Sequence, residues 1–206
     1  TDRLHQFLLS RLPVVTPESA DWQYDELAFL SWVSARYQQP ADPSVGFALE
    51  DLTPNRNRLG VWALALLAET QQITNPENAA VKELVSQVET SALRSATGVS
   101  WAVSDRAWYT WATPRYATAI ITSVLARLDP ANPLLTDAVR YLVLTRRANG
   151  GWTSSYESAW VLFALSEALT ASGDLQADFR YEAELNGTVI ASGNPSTPET
   201  ALTPVV

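Results

Sequence analysis

The chain has no cysteine, no methionine and a single histidine in 206 residues, and only 17% of it is charged. Without cysteine there is no disulfide, no thiolate nucleophile and no thiolate metal ligand, and the redox compartment cannot be read from cysteine usage. One histidine and no thiol argue against a transition-metal site. Basic residues are scarce as well: 14 Lys plus Arg stand against 22 Asp plus Glu, a net charge of −8 that works against a phosphate backbone as partner. There is no apolar run of 18 residues and no basic, then apolar, leader segment. With no Met at its start, the chain is expected to be a piece of something longer.

Apolar and aromatic residues are abundant: hydrophobic residues make up 47% of the sequence and eight of them are Trp. A buried Trp removes roughly 150–250 Å² from water, so a core can form without staples. The organising stretch is Ala148 to Leu169. Gly150 and Gly151 can adopt the left-handed backbone that closes a helix, and Thr153 to Ser155 can accept from the amides that open the next. Before the turn, Leu134 to Arg147 places Leu135, Ala138, Val139 and Leu142 on one face, with Thr136, Asp137, Arg140 and Arg147 opposite. After it, Ala159 to Leu165 is apolar all round and is expected to be covered on every side. An outer amphipathic helix followed by an inner apolar one is therefore the unit.

The unit recurs. Arg3 to Leu12, with Leu4, Phe7, Leu8 and Leu12 on one side, stops before Pro13 and is followed by Tyr24 to Tyr37. Val45, Ala48, Leu49 and Leu52 repeat the outer spacing, and Asn57 is placed to cap the polar-free run Val61 to Ala68. Asn75-Pro76 opens an outer helix with Val81, Leu84, Val85 and Val88 in one stripe, and Lys82, Glu83, Gln87 and Glu89 opposite. An irregular insertion, Ser95 to Pro114, precedes the inner run Tyr116 to Leu128. Four such pairs predict a mainly α fold and a partial α/α toroid, since inner helices apolar all round suit a ring better than a solenoid. The expected domain spans 1–173. After it, Phe179 to Leu185 alternates, Asn186-Gly187 is a strong hairpin turn and Thr188 to Ala191 returns, so 174–206 is expected to begin a β-domain, with a disordered tail from Asn194.

Few residues suggest chemistry. His5 reads as a surface histidine on an outer helix; as a general base it would need a nucleophile, and none lies near it in sequence. Glu157, one turn into an inner helix, could be a buried acid at the mouth of a ring, but the expected role is to favour the helix amino terminus. Trp101, Trp108, Tyr109 and Trp111 could stack on sugars or dock a protein; an insertion packed back over the helices is the expectation. Asp25-Glu26 and Glu50-Asp51 read as solvated pairs that do not converge. Ser154-Ser155 reads as a cap. No catalytic, cofactor-binding or metal residue is assigned.

Leu128-Asp129-Pro130, Leu134-Leu135, Val139 to Leu142, Arg146-Arg147, Asn149-Gly150-Gly151-Trp152, Ser154-Ser155, Ala159-Trp160, Ala164-Leu165 and Leu185-Asn186-Gly187 fall in an order and spacing that resembles bacterial α2-macroglobulins. The likeness covers the second half of the thioester-containing α/α-toroid domain and the start of the next β-domain. It implies a broad-spectrum endopeptidase inhibitor, not an enzyme, secreted, periplasmic or on the cell surface, that traps proteases and serves bacterial defence. Its partners would be proteases, met through the full-length parent, and neighbouring β-domains, with no cofactor, metal or nucleic acid. The family's thioester Cys is absent here, and Ser155-Tyr156-Glu157 stands where the family has Thr-Gln-Asp, so this piece would act as scaffold. The alternative is an α/α-toroid enzyme, terpene-cyclase-like or glycan-processing. No Asp-x-Asp-Asp motif supports a cyclase, while paired carboxylates for glycan chemistry remain open.

Overall fold

The computed structural model describes residues 2–37, 41–104, 111–148, 150–173, 181–186 and 188–193. The chain is mainly helical and divides into two compact units, Thr1–Ala168 and Leu169–Val206, so the first ends five residues before the expected boundary at 173. Eight α-helices are described: α1 (Asp2–Leu9), α2 (Asp21–Tyr37), α3 (Pro43–Leu52), α4 (Val61–Thr74), α5 (Ala80–Thr90), α6 (Pro114–Leu128), α7 (Leu135–Leu144) and α8 (Ser155–Ser172).

From α2 onward the two helix types expected from periodicity alternate along the chain; α1 departs, since Leu4 and Phe7 of its expected apolar side are 57% and 52% exposed. Among the outer helices, α3 buries Val45, Ala48 and Leu52, α5 buries Val81, Leu84 and Val88, and α7 buries Leu135, Ala138 and Leu142. Each presents one apolar stripe and leaves the rest to water. By contrast α4 buries every residue from Trp62 to Gln71, and α6 every residue from Tyr116 to Ala126. Leu66, Leu67, Ile120 and Ile121 are wholly buried, and each side chain of that size contributes roughly 1.5–3 kcal/mol by leaving water.

Cross-helix contacts fix the direction of the inner helices. Near their starts, Asp25 of α2 meets Gly60, the residue before α4, and Trp62 of α4 meets Tyr116 of α6. Tyr116 in turn stacks on Tyr156 of α8. Near their ends, Arg36 of α2 and Arg127 of α6 both reach Glu69 of α4, and Arg127 reaches Glu167 of α8. Starts meet starts and ends meet ends, so α2, α4, α6 and α8 run parallel. Contacts return from α8 to α2 as well, where Trp160 lies 6.1 Å from Trp32 and 6.0 Å from Phe29 between ring centroids.

Several boundaries depart from expectation for local reasons. Helix α1 stops at Leu9, three residues short of Leu12: Ser10 Oγ donates to Phe7 O, and the amides of Arg11 and Leu12 fall into tighter three-residue turns ahead of Pro13. Asn57 lies in a single 3₁₀ turn, Arg56–Arg58, and does not cap α4; Gly60 occupies that position. Helix α8 is not covered on every side. Only Glu157, Val161 and Ala164 are fully buried, and Leu162 is 59% exposed. It is the last inner helix of the row, and no further pair among the described residues packs on its outer flank.

The insertion holds more order than its composition suggested. Leu93–Ser95 (β1) and Gly98–Ser100 (β2) form a short antiparallel hairpin whose second strand lies against α7. Gly98 has φ +125°, and a Cβ there would stand 2.2 Å from the Asp137 carbonyl oxygen. Gly98→Ala is therefore expected to cost about 1–3 kcal/mol through backbone strain and the forced separation of the hairpin from α7, read as a lower urea midpoint. In the second unit Tyr181–Leu185 (β3) pairs antiparallel with Thr188–Gly193 (β4) through a bulge after Ala183, with Asn186 at φ +52°. The expected hairpin is present; Phe179, Gly187 and the tail from Asn194 lie outside the described residues.

Candidate functional site

Parallel inner helices gather their polar residues at two ends. At the carboxyl ends one charged residue from each helix takes part in a single network. Glu69 is buried and accepts from Trp32 Nε1 at 2.8 Å, from Arg36 Nη1 at 2.7 Å and from Arg127 Nε and Nη2 at 2.6 and 2.7 Å. Arg127 makes the two-pronged guanidinium to carboxylate contact, pairs Glu167 at 3.2 Å and lies 5.7 Å from the Phe163 ring centre. Signs alternate round the four helices, Arg36, Glu69, Arg127, Glu167, so each charge has an opposite neighbour and the set is neutral. Burial weakens the Arg127 cation, yet Glu69 and Glu167 more than restore it and its proton is held more firmly than usual.

At the amino ends two acids are buried in different surroundings. Asp25 is 9% exposed and accepts from the Gly60 amide at 2.7 Å, which satisfies the N–H of the residue that opens α4. Burial pushes its carboxyl up to about 7, against the opposing pull of that one hydrogen bond. Tyr116, next to it, is driven far above the usual phenol range by burial, then by Tyr156 and by Asp25 itself. Glu157 goes the other way. Burial raises it, but Thr113 Oγ1 at 2.5 Å, the Thr153 amide at 2.8 Å and Arg115 Nε at 3.0 Å all donate to it, and together they hold it below the ordinary glutamate range.

Glu157 is thus an anchored anion. It ties the first turn of α8 to Thr113, whose side chain caps α6 by accepting from the Tyr116 amide at 3.1 Å. The expected electrostatic role at the helix amino terminus holds, and the burial weighed as the alternative is present too; the Arg115 ion pair is what sequence did not indicate. Ser154 Oγ accepts from the Glu157 amide at 3.0 Å, so Ser154 is the cap; Ser155 is the first helical residue.

Other expectations divide. His5 is not on the surface: it is 2% exposed and stacked on Tyr37 at 5.0 Å, because α1 turns that face onto α2. Its Nε2 has no hydrogen-bond partner. Asp25 is not solvated either; Glu26 is exposed, as are Glu50 and Asp51. Trp101 is wholly buried and donates from Nε1 to Val88 O at 2.8 Å, so this part of the insertion packs back as expected. Trp111 does the opposite, 80% exposed with a left-handed backbone at φ +57°. Trp108 and Tyr109 lie outside the described residues.

At the amino end burial therefore raises the Asp25 carboxyl toward neutrality, while the donors around Glu157 favour its ionised form. Among the described residues the hydrogen bond to Asp25 comes from a backbone amide, with no hydroxyl or imidazole bonded to the carboxylate. The same residues contain no group of three or more His, Asp or Glu that could hold a metal ion. None of the described helices is long and apolar enough to cross a membrane. No family model, curated protein or solved structure matches the chain.

Proposed function

We propose that this chain is the scaffold portion of an α2-macroglobulin-like protease trap, its helix pairs forming part of an α/α toroid. The observation that carries the reading is how the buried polar groups are used. Glu69, Arg127, Glu157 and Thr113 brace one inner helix to the next through hydrogen bonds and ion pairs. The Gly150-Gly151-Trp152 turn, which carries the resemblance, is likewise a packing device: Trp152 Nε1 donates to Leu142 O at 2.9 Å and fastens the turn to α7. The return of contacts from α8 to α2 supports a ring. By the same resemblance the protein works outside the cytoplasm, against proteases, beside neighbouring β-domains.

The test is made on the whole protein that contains this sequence, incubated with an endopeptidase. A trap encloses its protease, so cleavage of casein should fall while cleavage of a small chromogenic peptide continues. Fluorescent methylamine, added with the protease, should label the protein only if a thioester lies outside this cysteine-free sequence; retention without label is a thioester-free trap. Undiminished cleavage of casein would overturn the reading.

A second reading rests on one observation. Asp25 and Glu157 lie at the same end of the inner helices with their acidities pushed apart, one toward a proton donor and the other toward a fixed anion. In a ring enzyme Asp25 would be the acid. That reading requires turnover that Asp25→Asn abolishes without unfolding the protein.

A further inference from the structure

The α7 to α8 turn leaves an apolar groove of about 280 Å³ lined by Val143, Trp152, Leu162 and Leu165, with Arg146 and Gly150 at one lip. Val143 and Leu162 are 49% and 59% exposed, so the walls are wet. The Arg146 side chain is fixed rather than free: Nε donates to Gly150 O at 2.6 Å, and the Nη2 atom lies 3.0 Å from where a Cβ of Gly150 would be. Gly150, at φ +87°, both closes the turn and leaves room for the guanidinium over it. Among the described residues Arg36, Arg56, Arg58, Arg115, Arg127 and Arg140 each pair with a carboxylate. Arg146, like Arg3 and Arg11 of the amino-terminal segment, has no carboxylate among them, and Arg147 beside it is exposed.

We propose that this groove docks an acidic segment of a partner protein, inserting one Leu- or Phe-sized side chain between Val143 and Leu162 and placing a neighbouring Asp or Glu side chain against Arg146. Charge complementarity chooses the occupant. A guanidinium held by its Nε still presents its terminal nitrogens, and a carboxylate matches that fork. A volume of this size takes one large apolar side chain and little more, so the groove selects an anchor and the arginine selects its neighbour. A second copy of this strongly acidic chain meets general repulsion, which a short acidic segment meets less. The proposal is independent of the protease-trap reading and stands or falls on binding alone.

The probe is a set of fluorescein-labelled, C-terminally amidated eight-residue peptides, each with one Leu or Phe and with Asp or Glu at every offset from it. Binding is followed by anisotropy at two salt concentrations. Peptides with a carboxylate one or two residues from the anchor should bind at least about tenfold tighter than their Asn or Gln counterparts, more weakly at high salt. Arg146→Gln should erase that preference, and Leu162→Ser, on an already exposed face, should weaken all of them. Circular dichroism confirms that both variants are folded. Binding indifferent to carboxylate, to Arg146→Gln or to Leu162→Ser would overturn the proposal, as would no binding across the set. Concentration-dependent dimerisation of the chain that Leu162→Ser abolishes would also overturn it, since the occupant would then be a second copy.

Discussion

Glu69→Ala should destabilise the helical unit by about 3–5 kcal/mol, the cost of breaking a buried ion pair and leaving its partner behind. Three donors converge on that carboxylate, the indole of Trp32 and the guanidinium groups of Arg36 and Arg127, and they come from α2 and α6, so that with Glu69 itself the network joins three of the four inner helices. Arg127 keeps Glu167 after the change, but its Nε and Nη2 lose both oxygens in a setting where the side chain is 17% exposed. Arg36 is more exposed and can turn to water, so most of the penalty falls on Arg127 and Trp32. Glu69→Gln retains an acceptor but not the charge, and should cost less. Replacing Glu69 and Arg127 together by Met and Leu should recover much of the loss, because the desolvation of both charges disappears with the pair. Urea unfolding followed by tryptophan fluorescence checks all three. A loss under about 1 kcal/mol for Glu69→Ala would mean that water reaches the network and that it behaves as a surface pair.

The helix types were legible because burial leaves a period in the sequence. Val45, Ala48 and Leu52 mark a stripe, Val61 to Ala68 marks a helix buried all round, and the stripe is buried as expected, as is the run from Trp62 on. The braces between inner helices were not legible in that way. The polar-free run of α4 ends at Ala68, and the residue that matters most is the next one, Glu69. Its partners lie 33, 37 and 58 positions away in sequence, so no local pattern marks them. A signal exists only in comparison between helices: each inner helix carries one charged residue in its later part, and the signs alternate. Asp25 and Glu26 show the same limit more sharply. Adjacent acids on a helix point in different directions, and which of them faces Gly60 depends on how α2 sits on α4. His5 was misplaced for a related reason, because one polar residue among Leu4, Phe7 and Leu8 looks like the wet side of a short helix until Tyr37 is seen to cover it.

Asp25→Asn should make the protein more stable at pH 8 and leave it little changed at pH 4. The sign follows from the direction of the shift. In the unfolded chain an aspartate titrates near pH 3.9, whereas in the folded protein burial pushes Asp25 up to about 7. Between those values the folded state binds the extra proton, so stability falls as pH rises and is lowest once both states are ionised. The contribution is complete below the unfolded value and is lost as pH passes through about 7. Three pH units correspond to about 4 kcal/mol, an upper bound because a buried charge draws in water and relaxes its surroundings. Asn cannot ionise, and its carbonyl can still accept the Gly60 amide, so the variant should lack this slope. Glu157 contributes in the opposite sense, its carboxyl held below the ordinary glutamate range and so acting as a stabiliser that is lost in acid. The curve of either protein alone mixes the two, and the difference between variant and parent isolates Asp25. That difference should grow through pH 5 to 7 and level off above; a flat difference would mean that Asp25 ionises as freely folded as unfolded, and would remove the proton donor on which the ring-enzyme reading rests.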